Sequence, residues 1–268
     1  MKFIDMEKLK KDYEKTGFLI FLLIMAVYYG YRLFALTPWY DELYTYYYFI
    51  SRGPVYAAIH WPVPNNHVGY SVLSAFLDFL GNPYIGLRGV SYLCALANLI
   101  LIFGIGRKKK KKGLSLVAVL LYASMNLVNQ MAVQGRGYTL GITCYLTAFY
   151  CLTFICKELR TAYKYYVVFG MSLVLGLYTL TSDIYFVLPV CMTGGMYLLY
   201  QALSESKTSK LPLRKSEYLR KLGKLITVSI LAAIVTTGLY AVIWLAIGSN
   251  LWVKDETGLY YGMNHVKM

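Results

Sequence analysis

Asp41 and Glu42 stand side by side in Thr37-Pro38-Trp39-Tyr40-Asp41-Glu42, directly after a long apolar run. Carboxylates so close to hydrocarbon are costly, and ionisable groups at such depths pair with one another, face water or mark a site. Three readings of the pair stay open: a reactive site, a cap on the helix that follows, since acids are favoured in a first helical turn, or ion pairing with Arg88 or Arg136. A second cluster is Gln134-Gly135-Arg136-Gly137-Tyr138. Glycines on both sides let backbone approach a ligand closely, and a guanidinium there can meet phosphate oxygens in a bidentate fork; the alternative is an arginine snorkelling from a span end. Arg88, in Gly86-Leu87-Arg88, poses the same choice. His67, after Asn65-Asn66, reads either as a turn histidine at the surface or as a contact to substrate or metal. Carboxylate, imidazole and guanidinium are the groups of proton transfer and anion binding.

The elements that must position these groups follow from composition. With 58% hydrophobic residues, 28 Tyr and a mean hydropathy of +0.48, the chain is an integral membrane protein. A helix needs about 20 apolar residues to cross the hydrocarbon core. Seven stretches approach that length, near 18–36, 84–106, 114–133, 138–156, 164–181, 184–203 and 225–248. The first has no small-residue cleavage site and is followed by further spans, so it reads as a retained helix rather than a signal peptide. Cys94, Cys144, Cys151, Cys156 and Cys191 fall in apolar runs without CxxC or CxxH spacing, so they read as small core hydrophobes.

Positive charge sets the expected orientation. With the amino terminus inside, 21 of the 27 Lys and Arg fall in cytoplasmic segments, leaving Arg32, Arg52, Arg88, Arg136, Lys254 and Lys267 outside against six acids. The run Arg107–Lys112 is then a topology anchor that also favours anionic lipid, not a nucleic-acid patch. Trp39, Trp61, Trp244 and Trp252 fall at or beyond the outer ends of spans, where amphipathic rings settle.

Residues 37–83 form a long outer loop, and loops of that length are usually functional. Its pattern predicts a helix from Asp41 to Ile50, stopped by Arg52-Gly53-Pro54. It predicts a second from His67 to Leu80 lying along the interface, with Val68, Ser71, Val72, Ala75, Phe76 and Phe79 on one face. Trp61-Pro62-Val63-Pro64-Asn65-Asn66-His67 between them is a proline-punctuated turn. Tyr44, Tyr46, Tyr47 and Tyr48 read as interfacial anchors, and Asp183, in Thr181-Ser182-Asp183, as a solvated turn residue.

The order of one span, an Asp-Glu pair, a long outer loop with an Asn-His turn, Phe79-Leu80-Gly81-Asn82-Pro83-Tyr84-Ile85-Gly86-Leu87-Arg88, a basic inner loop and Arg136-Gly137-Tyr138-Thr139-Leu140 resembles a known arrangement. It is similar to the multi-spanning GT-C glycosyltransferases that use polyprenyl-phosphate sugars, in particular the family 39 group of protein mannosyltransferases and aminoarabinose transferases. The resemblance covers most of residues 18–200. It implies an all-α membrane fold with about seven transmembrane helices, residues 1–268 forming a single GT-C-like module with the site in the first outer loop. It implies transfer of a sugar from a polyprenyl-phosphate donor to a glycan, lipid or protein acceptor at the outer face of the plasma membrane. The displacement inverts the anomeric carbon, with Asp41 as general base and Glu42 orienting acceptor or sugar. Asn66, His67, Arg88, Arg136 and Tyr138 are then candidate substrate contacts, and a divalent cation such as Mn or Zn, on Asp41, Glu42 and His67, is a candidate cofactor. Family members continue past this first module, so the outer tail 249–268 suggests a truncated, split or minimal version.

Two other classes compete. A transporter or flippase of lipid-linked sugars would also place polar groups near spans, but would keep charge near the bilayer midplane on broken helices and show internal repeats. A non-catalytic partner would bind lipid phosphate and leave the chemistry to a second chain.

Overall fold

The computed structural model describes residues 13–60, 66–108, 113–158, 161–209 and 212–247. The described chain is helical, and no strand occurs in it. Its α-helices are α1 (Tyr13–Ala35), α2 (Tyr40–Tyr48), α3 (Pro54–Ile59), α4 (Val68–Asp78), α5 (Pro83–Arg107), α6 (Leu114–Ser124), α7 (Asn126–Met131), α8 (Tyr138–Lys157), α9 (Tyr163–Thr179), α10 (Ile184–Ser209) and α11 (Glu217–Ile247). Among the described residues five helical stretches are long and apolar enough to cross a membrane: α1, α5, α8, Thr181–Thr208 and Glu217–Leu245. The chain is an all-α membrane protein. The tail 249–268, Trp252 and the turn 61–65 with Trp61 lie outside the described residues.

Six of the seven predicted spans correspond to single helices, whereas 114–133 is divided. The chain leaves the helix at Met125 (ψ 122°) and restarts at Asn126. Asn129 explains the break: its side-chain amide donates to the carbonyls of Ala123 (2.7 Å) and Met125 (3.1 Å). A polar side chain thus satisfies backbone groups that hydrocarbon cannot.

The chain forms two compact units, the first of residues 1–54 and 70–143 and the second of 55–69 and 144–268. In the first unit α1, α5 and α6 pack together around Phe18, Met25, Tyr29, Leu33, Leu99, Phe103 and Val119, with the Phe18 and Phe103 rings stacked at 4.0 Å. Leu19, Leu23, Ile24 and Val27 on the opposite side of α1 are exposed. A helix apolar all round, with no solvent-facing polar stripe, is what lipid demands. At the predicted inner end of this bundle Gly106 lets α5 approach Ser115 of α6, where an added Cβ would lie 2.8 Å from the Ser115 Cα, and Arg107 pairs with Glu14 of α1 at 2.8 Å.

In the second unit α11 packs against both α9 and α10 around Leu152, Ile155, Tyr166, Phe169, Leu173, Leu198 and Leu225. Small residues permit the close crossings, as a Cβ on Gly170 would meet Val228 at 2.7 Å and one on Gly194 would meet Leu152 at 2.6 Å. The Lys221 ammonium donates to the carbonyl of Glu158, and Tyr240 donates to that of Leu177 at 3.0 Å.

The two predicted loop helices form as α2 and α4, and a short helix that the pattern did not predict, α3, lies between them. Gly53, at φ 91°, ends the 3-10 turn Ile50–Arg52 in a conformation that side chains resist, and Pro54 then opens α3. Tyr70, Ser71, Ser74 and Ala75 are buried, whereas Phe76 and Phe79 are exposed. The Tyr70 hydroxyl donates to the carbonyl of Leu87 at 2.5 Å, which ties α4 to α5.

Candidate functional site

Thr37 to Trp39 connect α1 to α2, and Trp39 is the N-cap residue of α2. It has no acceptor side chain of its own, so Glu42 in the first turn reaches back: its Oε2 accepts the Trp39 backbone N–H at 2.9 Å. The same carboxylate meets Arg88, which α5 projects from its first two turns. Arg88 Nε donates to Oε1 at 2.8 Å and Nη2 to Oε2 at 3.0 Å, a bidentate pair with both side chains almost fully buried. Arg88 Nη1 donates to the carbonyls of Leu33 (3.0 Å) and Leu36 (2.7 Å). These belong to the end of α1, where carbonyls lack helical partners. Oε1 of Glu42 also accepts the Gly135 backbone N–H at 2.6 Å. One buried ion pair therefore joins the end of α1, the start of α2, the first turns of α5 and the turn before α8.

That turn is fixed from several sides. Ser91 Oγ donates to the carbonyls of Gln134 (2.5 Å) and Arg136 (3.3 Å), and Arg136, itself buried, donates through Nη1 to Thr45 Oγ1 at 3.0 Å. Gly135 is required by proximity rather than by φ, because a Cβ there would stand 2.4 Å from Leu87 Cδ1 and 3.1 Å from Glu42 Oε1. Nearby, Tyr46 of α2 donates to Asp78 Oδ1 at 3.2 Å. Burial, then the Asp78 charge, pushes the Tyr46 phenol up, so it stays a donor.

The adjacent carboxylates have opposite environments. Asp41 is exposed, and its side chain takes no hydrogen bond or ion pair among the described residues; only its backbone carbonyl is engaged, by Thr45 Oγ1 at 2.8 Å. Glu42 caps and pairs, and Asp41 does neither. Beside Glu42 and Arg88 opens a cleft of about 280 Å³, walled also by Arg32, Thr37, Trp39, Gln130 and Gln134, with Leu36, Leu127, Met131 and Val133 supplying its apolar part.

Asn66 and His67 belong to the second unit. Asn66 donates through Nδ2 to the carbonyls of Ala57 (3.0 Å) and His60 (2.9 Å), which seals the end of α3. His67 is buried rather than displayed on a surface turn. Tyr138 opens α8 in the first unit and is exposed. Asp183 corrects the reading of a solvated turn: one carboxylate oxygen, Oδ2, is enclosed and has no hydrogen-bond partner among the described residues. No group of three His, Cys, Asp or Glu suited to a metal ion occurs among the described residues. Both oxygens of Glu42 already balance Arg88, so the acid fits a cation poorly.

Arg32 and Asn129 escaped the sequence reading of the site. A signal was present in Asn126, Asn129, Gln130 and Gln134, whose spacing places a polar face on the carboxyl-terminal end of an otherwise apolar stretch.

The family model described as dolichyl-phosphate-mannose-protein mannosyltransferase matches residues 67–216, more than half of the chain. The chain belongs to this family. It is a membrane glycosyltransferase of GT-C type. The matched range holds Arg88, Gly135 and Arg136, while Asp41 and Glu42 precede it. No curated protein and no solved structure matches the chain significantly.

Proposed function

We propose that the protein transfers a sugar from a polyprenyl-phosphate donor to a hydroxyl or amine acceptor at the outer face of the plasma membrane, residues 1–268 acting as one module. The observation that carries this reading is the contrast within one helical turn: Glu42 is buried against Arg88, and Asp41 is exposed with a free carboxylate at the edge of the same clasp. A rigid support beside an unengaged base is the arrangement a single displacement needs. Asp41 takes the acceptor proton as the acceptor oxygen or nitrogen bonds to the anomeric carbon. The bond from that carbon to the phosphate oxygen breaks, its electron pair leaving with polyprenyl phosphate, and the configuration inverts. A positioned base of this kind contributes on the order of 10² to 10⁴ in rate.

Glu42 and Arg88 hold α2 so that Asp41 keeps its direction, and Arg136 supports the same helix through Thr45. Tyr138 is a substrate contact in this reading, and no step is routed through a metal. The amino terminus is cytoplasmic, in keeping with the concentration of Lys and Arg in the inner segments.

The test is to incubate the purified chain in lipid with a panel of polyprenyl-phosphate sugars and follow release of polyprenyl phosphate. Consumption of one donor, with a product of inverted anomeric configuration, is expected. Folded protein that neither binds nor consumes any donor would contradict the reading.

A further inference from the structure

The cleft beside the clasp has an electrostatic asymmetry that the clasp itself does not use. Of the charged side chains on its walls, Glu42 and Arg88 neutralise each other through their bidentate contact, which leaves Arg32. Arg32 lies in the last turn of α1 and is half-buried. Its Nη1 donates to the backbone carbonyl of Asn129 at 2.6 Å, and its guanidinium lies 5.4 Å from the centre of the Tyr28 ring. Asn129 is itself anchored by Tyr29, whose hydroxyl donates to its Oδ1 at 3.1 Å, and by its own two bonds across the break between α6 and α7. The guanidinium is thus held in place before any ligand arrives. Its other N–H groups have no hydrogen-bond partner among the described residues.

We infer that this cleft receives the phosphate of a lipid phosphate ester, with Arg32 as the cation that binds it. A preorganised, partly desolvated guanidinium with unused N–H groups suits phosphate oxygens, because its planar fork loses little freedom on forming two bonds. Gln130 and Gln134 on the same walls supply uncharged donors. Leu36, Leu127 and Met131 give the hydrocarbon next to the phosphate an apolar seat, and Leu36 and Leu127 are exposed. A free phosphate ion would meet the same cation without using that apolar wall. The inference rests on the proposed function in taking the ligand to be a lipid phosphate, and it adds the residue and cleft that hold the phosphate.

The test measures binding of farnesyl phosphate, farnesol and inorganic phosphate to the full chain in a maltoside detergent that carries no phosphate. Farnesyl phosphate is expected to bind about tenfold or more tightly than either farnesol or inorganic phosphate, since charge and hydrocarbon both contribute. Arg32→Gln is expected to remove about tenfold of the farnesyl phosphate affinity and leave farnesol unchanged, with Arg32→Lys recovering part of it. Because Arg32→Gln also loses the bond to Asn129, Gln130→Glu provides an independent probe: it adds an anion at an exposed cleft position and is expected to weaken farnesyl phosphate without moving the thermal midpoint. Unchanged farnesyl phosphate affinity in both Arg32→Gln and Gln130→Glu would overturn the inference. So would equal binding of farnesol and farnesyl phosphate by the unaltered chain. Sugar transfer that persists undiminished in both variants would remove Arg32 while leaving the proposed function standing. Arg32-dependent phosphate binding without any transfer would do the reverse.

Discussion

At the scale of the residue, two neighbouring acids are separated by their surroundings. Glu42 accepts four hydrogen bonds in a buried setting, from Arg88 twice, from Trp39 and from Gly135. Removing one partner leaves an uncompensated buried charge, whereas replacing both removes the problem. Arg88→Leu is therefore expected to destabilise the protein by about 3–5 kcal/mol, and the double variant Glu42→Leu with Arg88→Leu to recover much of that loss. Thermal unfolding in detergent checks both; a double variant no better than the single would contradict the account. Gly135→Ala should cost about 1–3 kcal/mol by overpacking, because its Cβ would overlap Leu87. The pair could be located in the sequence by its depth, and Arg88 could be named among its partners. What a linear reading could not decide was which carboxylate turns inward. That depends on helical phase: Glu42 occupies the third helical position of α2, from which a side chain reaches back to the N-cap, and Asp41 one residue earlier points away.

At the scale of the element, the division between α6 and α7 shows why composition alone was insufficient. The stretch 114–133 is apolar enough on average to read as one span, yet Asn129 offers its amide to the carbonyls of Ala123 and Met125 and breaks it. Hydropathy averages the asparagine away, whereas hydrogen bonding makes it decisive in a low-dielectric setting. Asn129→Leu is expected to lower stability by about 1–3 kcal/mol, since the carbonyls of Ala123 and Met125 and the Tyr29 hydroxyl lose their partner, and to lower farnesyl phosphate affinity because the Asn129 backbone carbonyl that accepts from Arg32 loses the side-chain bonds that fix it. Unfolding and binding measured on the same preparation check this, and a variant as stable and as tight as the parent would contradict it. In α4 the Tyr70 hydroxyl bonds to the carbonyl of Leu87, a contact that a purely apolar count overlooks.

At the scale of the whole molecule, the helical membrane architecture was legible because span length and lipid-facing apolarity leave few alternatives. The burial of His67 was not, because a histidine beside two asparagines has the composition of an exposed turn. Orientation remains a prediction of charge. On intact cells a membrane-impermeant maleimide is expected to label Val55→Cys, and to label Lys215→Cys only after permeabilisation, both positions being exposed; the opposite pattern would invert the topology. The central claim is that this family member uses the exposed acid of the pair as its base. Its most direct test compares donor turnover by the unaltered chain and by Asp41→Asn, in lipid, with the polyprenyl-phosphate sugar that the parent consumes. The account predicts that Asp41→Asn retains its thermal midpoint and its binding of farnesyl phosphate but loses at least about 100-fold in transfer rate. Undiminished transfer by the folded variant would contradict it.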